Sequence, residues 1–180
     1  HAQEKPARPS TPSKQATPGG SYKIGSGDIL AIYIWKEPEL SKESVLVRID
    51  GNMSFPLLDD VKVAGLTPIQ LKAVLQERLK DYIESPTVTV IVNNPNSQQF
   101  YMLGEIARTG AYQLYKDLTV LQAFALAGGF SEWASKSKII LLRKENGKDT
   151  IITINYKDIV KGKDFSQNVP LKANDTIIVP

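Results

Sequence analysis

The segment YKIGSGDILAIYIW, residues 22–35, opens with a Gly-Ser-Gly-Asp turn and runs directly into an apolar strand. Apolar side chains occupy both faces of this strand, with Leu30, Ile32 and Ile34 on one side and Ile29, Ala31, Tyr33 and Trp35 on the other. Strands of this kind are typical of the interior of a sheet. Asp28 before the apolar run and Pro38 after it favour a strand over a short buried helix. We therefore expect a central strand.

A second strand is predicted at residues 44–49, where the alternating side chains that share one face are Val45, Val47 and Ile49. Residues 50–52, Asp-Gly-Asn, tolerate the positive φ angles of a tight turn. They predict a hairpin into a third strand at residues 53–55, which Pro56 ends.

A helix is predicted to begin at Pro68, because Thr67 is a favoured N-cap and Pro is favoured in the first turn. Its apolar face repeats at intervals of three and four residues: Leu71, Val74, Leu75, Leu79, Tyr82 and Ile83. Pro86 ends the helix, and residues 87–92, TVTVIV, form a β-branched run typical of a strand. One helix packed on a small mixed sheet gives an α+β fold class.

The second half of the chain repeats this plan. Strands are predicted at residues 99–103, 111–114, 138–143, 150–154 and 176–179. Thr119 caps a helix that Gly128-Gly129 ends, and residues 155–160 form a helical turn. Asn146-Gly147 is a strong signal for a tight hairpin. We expect two small mixed-sheet units, the second of them β-grasp-like.

One internal echo links the two halves. IGSGDILAI, residues 24–32, and LKANDTIIV, residues 171–179, each place a turn and an Asp before a strand. Asp28 and Asp175 are therefore predicted to be turn residues whose carboxylates accept backbone N–H groups. The echo indicates either two related units or two unrelated turn-to-strand transitions.

Composition divides the chain into three parts. Residues 1–20 carry four Pro and almost no large apolar side chain, which predicts a disordered Pro-rich tether. The polar cluster NNPNS, residues 93–97, predicts a boundary between one domain at 21–97 and another at 98–180. The start His-Ala-Gln resembles the small-residue end of a secretory signal and predicts export, although a trimmed chain would begin in the same way.

Charge and composition exclude several classes of protein. Of 22 Lys and Arg and 19 Asp and Glu, the first 20 residues hold three basic and one acidic, so the remainder is nearly neutral. That balance argues against a nucleic-acid partner. Cys is absent and the only His is His1, which leaves no residue for a catalytic triad or a Cys- or His-ligated metal. We expect no enzymatic activity, no cofactor and no bound metal.

Two close carboxylate pairs, Glu37 with Glu39 and Asp59 with Asp60, are predicted to lie in polar loops. Solvated charge is the ordinary state of such residues. The aromatic residues that could stack on a sugar are Trp35, Tyr101, Tyr112, Tyr115 and Trp133. Tyr101 and Tyr112 lie within strand patterns and are expected in a core or an interface. Trp133, which lies in a polar loop, is the predicted glycan contact.

These segments together resemble the bacterial polysaccharide biosynthesis and export family, the Wza-type outer-membrane translocon proteins. The first domain is similar to the family's polysaccharide export domain through YKIGSGDILAIYIW, KEPELS and VRIDGNMSFPLLDDVKVAGLTP. The second resembles its soluble-ligand-binding β-grasp domain through YMLGEIARTGAYQL, TVLQAFALAGGFSEWA and LKANDTIIVP. The motifs cover nearly all of residues 22–180 and occur in the family's order.

The resemblance implies a non-enzymatic role in which a homo-oligomeric ring, octameric in the best-known relatives, passes capsule or exopolysaccharide out of the periplasm. It implies a periplasmic, outer-membrane-associated location. The implied partners are the polysaccharide and inner-membrane export or co-polymerase machinery. Fuller relatives also carry a lipid-bearing Cys and a pore-forming amphipathic helix. Either this sequence is part of a longer chain, or it is a short member that uses a separate outer-membrane barrel protein.

Four charged residues beside turns are the predicted subunit contacts: Arg48, Asp50, Glu105 and Arg108. Solvated charges with only local partners are the alternative. A monomeric periplasmic glycan-binding module is the competing function, and it predicts a concave aromatic site without a ring. An enzyme that cleaves polysaccharide would need a functional carboxylate pair in a cleft, such as Asp59 and Asp60.

Overall fold

The computed structural model describes residues 22–180, so the tether predicted at residues 1–20 lies outside the described residues. Two clusters of buried apolar side chains occupy successive halves of the chain, one between Ile24 and Val88 and one between Phe100 and Val179. The strands form two separate sheets and a two-stranded ribbon. The predicted α+β class is confirmed, while the domain limits 21–97 and 98–180 stay a prediction.

The first half contains β1 (Ile29–Ile34), β2 (Lys42–Leu46), β3 (Asn52–Phe55), β4 (Asp59–Lys62), α1 (Pro68–Leu79) and β5 (Val88–Asn94). A three-stranded antiparallel sheet has the order β2-β1-β5, so β1 is central, as predicted. Leu30, Ile32 and Ile34 are buried in the first core. The alternate residues Tyr33 and Trp35 are exposed, so the second apolar face of β1 is open at this end.

The hairpin predicted between residues 44–49 and 53–55 is wrong in its pairing. β3 pairs instead with β4 in an antiparallel ribbon. A turn begins at Arg48, whose carbonyl accepts the Gly51 N–H at 2.9 Å, so Ile49 belongs to the turn and not to a strand. Ile49 is accordingly 98% exposed and does not share the buried face predicted for it.

β4 also corrects the prediction that Asp59 and Asp60 lie in a polar loop, because both are strand residues. Asp59 begins the strand with a φ of 56°, in the left-handed region that favours glycine. Asp is one of the few other residues that visit this region, since its short polar side chain can make local hydrogen bonds.

α1 begins where it was predicted to begin. Thr67 Oγ1 accepts the Gln70 N–H at 3.2 Å, and the Gln70 side chain accepts the Thr67 N–H at 2.9 Å. This reciprocal cap satisfies two N–H groups that the helix leaves free. The side chains that α1 buries in the first core are Leu71, Leu75 and Leu79. The helix ends at Leu79, before the predicted Tyr82 and Ile83, whose N–H groups both donate to the Leu79 carbonyl.

The second half contains β6 (Gln99–Gly104), β7 (Gly110–Gln113), α2 (Val120–Leu126), β8 (Ile139–Glu145), β9 (Lys148–Ile154), α3 (Tyr156–Val160) and β10 (Thr176–Val179), with a 3₁₀ turn at Phe165–Gln167. Five strands form one sheet in the order β7-β6-β10-β8-β9. β10 runs parallel to β6 and antiparallel to β8. This last strand is central in the sheet, and the half is β-grasp-like, as predicted.

The turn signals in this half are confirmed. Gly128 and Gly129 end α2, each with a φ of 85°, and Asn146-Gly147 joins β8 to β9 with φ angles of 51° and 77°. α2 and α3 are linked to the second core by three aromatic rings whose centroids lie 4.7–5.9 Å apart: Phe124, Phe130 and Tyr156. On the face of the five-stranded sheet opposite the second core, several side chains are exposed.

Candidate functional site

The buried carboxylate of Asp28 fixes the start of β1. It accepts the N–H groups of Gly25 at 2.9 Å and Ser97 at 2.7 Å, and Tyr22 Oη donates to it at 2.6 Å. Burial, together with this hydrogen bond, raises the pKa of Tyr22 above its ordinary value. Because Ser97 follows β5, Asp28 connects the first core to the segment that leads into the second sheet. Its predicted role as a turn residue is confirmed.

Asp175 repeats this arrangement before β10. Its carboxylate accepts the Lys172 N–H at 2.7 Å, just as Asp28 accepts the N–H three residues before it, and the residue preceding each Asp has a positive φ. Arg143 on β8 donates to the two carboxylate oxygens of Asp175 at 2.6 and 2.9 Å, and both side chains are buried. The similarity between residues 24–32 and 171–179 therefore reflects the same turn geometry before each strand. The carboxylates of Asp28 and Asp175 already accept hydrogen bonds that hold the fold together. Neither residue is therefore a candidate for catalysis.

Arg48 lies at the centre of an exposed ion-pair cluster. Its guanidinium donates to the two oxygens of Asp60 at 2.8 and 3.0 Å, to Asp50 at 2.9 Å and to Ser54 Oγ at 2.7 Å. Hydrogen bonds from Arg48 and from the Asn52 backbone N–H lower the pKa of Asp50 to about 2. Arg48 also lowers the pKa of Asp60. Arg48 and Asp50 thus contact each other, and their role as subunit contacts stays a prediction.

Glu105 and Arg108 lie on the connection from β6 to β7. The Ser131 hydroxyl donates to the Glu105 carboxylate at 2.5 Å, and Arg108 Nη2 donates to the Leu126 carbonyl at 2.8 Å. A cation at this end of α2 complements the negative end of the helix dipole. Both residues have local partners close to α2, and their role as subunit contacts also stays a prediction.

Trp133, the predicted glycan contact, is 84% exposed on the connection between α2 and β8. The connection is held at Ser135, whose N–H donates to the Pro180 carbonyl at 2.7 Å. The indole is therefore accessible on an anchored segment, and its contact with glycan stays a prediction.

One face of the five-stranded sheet carries two adjacent rows of largely apolar side chains, which we call the open face: Tyr101, Thr176, Leu142 and Ile151 in one row, and Leu103, Ile178, Ile140 and Thr153 in the next. All are partly or fully exposed. Sequence reasoning expected Tyr101 in a core or interface but missed the face, because strands from distant parts of the chain form a row only once their register is known.

A groove of about 530 Å³ lies beside the end of β1, and we call it the aromatic groove. Tyr33 and Trp35 line it, two residues apart on the same face of the chain. The polar side chains around them belong to Lys36, Glu37, Ser41, Glu43, Thr87 and Thr89. Sequence reasoning singled out Trp35 and missed Tyr33, although their spacing along a strand was the signal that pairs them.

Within residues 22–180, no three His, Cys, Asp or Glu side chains come together in a way that could hold a metal ion. No helix in that part of the chain is long and apolar enough to cross a membrane. Glu37 and Glu39 lie on the loop after β1, as predicted.

Residues 16–93 match the family model described as polysaccharide biosynthesis/export protein, and residues 99–154 match the SLBB domain. The chain carries a polysaccharide biosynthesis/export domain followed by an SLBB domain. This confirms the resemblance drawn from the sequence motifs. The Arg48 cluster and the aromatic groove lie in the export domain, whereas Trp133 and much of the open face lie in the SLBB domain.

Curated relatives align with both domains. The EPS I polysaccharide export outer membrane protein EpsA of Ralstonia nicotianae is 28% identical over 189 residues, which cover 92% of this chain and 48% of the relative. The capsule polysaccharide export outer membrane protein CtrA of Neisseria meningitidis serogroup A is 26% identical over 86% of this chain and 43% of the relative. The capsule polysaccharide export protein BexD of Haemophilus influenzae is 24% identical over 88% of this chain and 43% of the relative. The chain thus spans about half the length of the curated relatives it matches.

Proposed function

We propose that this protein is a non-enzymatic component of a capsule or exopolysaccharide export assembly. In this proposal, copies of the chain form a periplasmic ring associated with the outer membrane, and the ring guides the polymer outward. The order of the export and SLBB domains supports this function, as does the similarity to polysaccharide export proteins of Ralstonia, Neisseria and Haemophilus.

The open face of the SLBB domain is the observation that carries self-association. Its exposed apolar side chains include Tyr101, Leu103 and Ile151, on strands that pair through the central β10. Contiguous apolar surface of this kind marks association sites on soluble proteins, because covering it removes apolar area from water. In a homo-oligomer, a second copy of the chain would cover this face.

A closed ring requires that one surface of each copy meets a different surface of the next copy. The open face would supply one side of such a contact. The charged residues predicted as subunit contacts, Arg48 and Asp50 on one domain and Glu105 and Arg108 on the other, would then set the orientation of neighbouring copies. Charges at the rim of an interface act on specificity more than on affinity.

A transport ring must hold its polymer weakly. Side chains that face the lumen would make repeated polar and aromatic contacts, and Trp133 is the predicted glycan contact of this kind. Tight binding at any one position would stall the polysaccharide, because its release from that position would become slow.

Native mass spectrometry over a concentration series tests the assembly. The parent protein is expected to form a closed species of defined stoichiometry, and Leu103→Lys with Ile151→Lys on the open face should weaken its assembly at least about tenfold. Ile69→Lys on α1, another exposed apolar side chain, is the matched control and should assemble like the parent.

Two outcomes would contradict this proposal. If the open-face variant assembles at the same concentrations as the parent, the open face is not part of the subunit contact. A parent protein that stays monomeric throughout, including with the inner-membrane machinery added, would favour the monomeric glycan-binding module.

A further inference from the structure

The aromatic groove exposes two large rings side by side. Trp35 is 72% exposed and Tyr33 is 40% exposed, and the alternation of β1 turns both away from the buried Leu30, Ile32 and Ile34. Single exposed aromatic residues are ordinary, whereas neighbouring ones that line the same concavity form a continuous apolar platform. The face beside β1 therefore has a surface suited to a flat apolar partner.

Polar groups surround this platform and are free to bind. Thr89 pairs with Tyr33 across the sheet, which places the two side chains side by side on the same face. Among the described residues, the carboxylates of Glu43 and Glu37 make no hydrogen bond or ion pair, and the Glu43 backbone carbonyl accepts from the Asn93 side chain at 3.0 Å. The groove thus combines an aromatic floor with unpaired hydroxyl donors and carboxylate acceptors.

The groove is also held in shape by its own backbone. The Trp35 N–H donates to the Thr87 carbonyl at 2.9 Å, which fixes the end of β1 to the segment before β5. Ser41 Oγ accepts the Ile34 N–H at 2.9 Å and donates to the Glu37 carbonyl at 3.0 Å, so the loop that follows is tied back to the strand. A site formed in advance loses little conformational entropy when a ligand binds.

A pyranose ring matches these features. One side of the ring presents C–H groups that stack on an aromatic face, and its edge presents hydroxyl groups that donate to carboxylates and accept from hydroxyls. We propose that the aromatic groove is a glycan subsite of the export domain, in which Trp35 and Tyr33 stack on sugar rings and Glu43 and Thr89 bind their hydroxyls. This subsite rests on the proposed export function. It places a glycan contact in the export domain, separate from the one predicted at Trp133.

Intrinsic fluorescence tests the subsite directly, because the chain has only two Trp residues. In Trp133→Phe the remaining reporter is Trp35, and in Trp35→Phe it is Trp133, an exposed Trp outside the groove. Cellohexaose and hexagalacturonic acid serve as a neutral and an acidic probe. At least one is expected to quench and blue-shift the emission of Trp133→Phe, while any response of Trp35→Phe reports the separate contact predicted at Trp133.

Affinity measurements by calorimetry complete the test, and all of them use the Trp133→Phe background so that the contact predicted at Trp133 does not contribute. Trp35→Ala is expected to weaken binding of the responding probe about fivefold or more, because one aromatic contact is lost. Thr89→Val keeps the shape of the side chain and should also weaken binding, whereas Phe165→Ala, which removes an exposed aromatic ring outside the groove, should not. Since Trp35 and Thr89 are exposed, these variants are expected to keep the parental fold.

Three results would overturn the subsite: no response of Trp35 to either probe at up to about 10 mM, binding that survives Trp35→Ala, or a Trp35 signal that changes with protein concentration alone. The last result would make the groove a subunit contact. Ring assembly is scored separately by native mass spectrometry. A ring without a Trp35 response to sugar would therefore refute the subsite alone, and a sugar response without a ring would refute the ring alone.

Discussion

Replacing Asp175 with Asn tests the buried ion pair that holds β10 in the five-stranded sheet. The carboxylate accepts hydrogen bonds from Arg143 at 2.6 and 2.9 Å and from the Lys172 N–H at 2.7 Å. Asn keeps the shape of Asp but turns one acceptor oxygen into a donor NH₂ group, which then faces another donor. It also leaves Arg143 buried without a counterion, and removing one partner of a buried pair costs about 3–5 kcal/mol.

A matched control removes the same charge at the surface of the same sheet. Glu145 pairs with Lys172 where both side chains are largely exposed, and water screens this pair, so Glu145→Gln should unfold like the parent. A domain of this size loses roughly 4–8 °C of melting temperature per kcal/mol, so Asp175→Asn should melt at least about 12 °C lower.

Urea denaturation followed by circular dichroism measures the loss, and hydrogen exchange locates it at β8 and β10. A double variant, Arg143→Met with Asp175→Asn, should recover part of the lost stability, because it no longer buries an unpaired charge. If Asp175→Asn and Glu145→Gln unfold at the same urea concentration, the reasoning about the buried pair is refuted.

Two further predictions concern a close backbone approach in the second half and an ion pair in the first. Gly104→Ala would place its Cβ 2.0 Å from the Val179 carbonyl oxygen, so we expect loss of the folded SLBB domain in thermal melts. Gly129 has a similar positive φ, but a Cβ there would have no atom within 4 Å, so Gly129→Ala should cost only about 1–2 kcal/mol of backbone strain. If the two variants lose the same stability, the clash at Gly104 is refuted. In the export domain, hydrogen bonds from Arg48, the larger cause, and from the Asn52 backbone N–H lower the pKa of Asp50 from 3.8 to about 2, so the folded state binds this proton less tightly than the unfolded state. Stability from this ion pair is therefore present above about pH 4 and lost as the pH falls towards 2, and the difference in urea midpoint between the parent and Arg48→Met should close over that range. A difference that stays constant from about pH 5 to 2 would exclude this coupling.

The sequence by itself determined the features that depend on a few neighbouring residues. Thr67 and Gln70 form the predicted start of α1, and Asn146-Gly147 forms the predicted hairpin. Asp28 and Asp175 serve as turn residues, because the groups they bind include an N–H only three positions away. Local hydrogen bonds and allowed φ angles decide such features, so a linear pattern contains the information.

Only the tertiary structure decided which distant segments meet. β3 pairs with β4 and not with β2, so Asp60 becomes a partner of Arg48 where the sequence placed a solvated loop charge. Arg143 reaches Asp175 from a strand 32 positions earlier in the chain. The open face and the aromatic groove likewise arise from the register of strands that are separate in sequence. Register follows from the packing of whole sheets, because a shift of one residue turns every side chain to the opposite face.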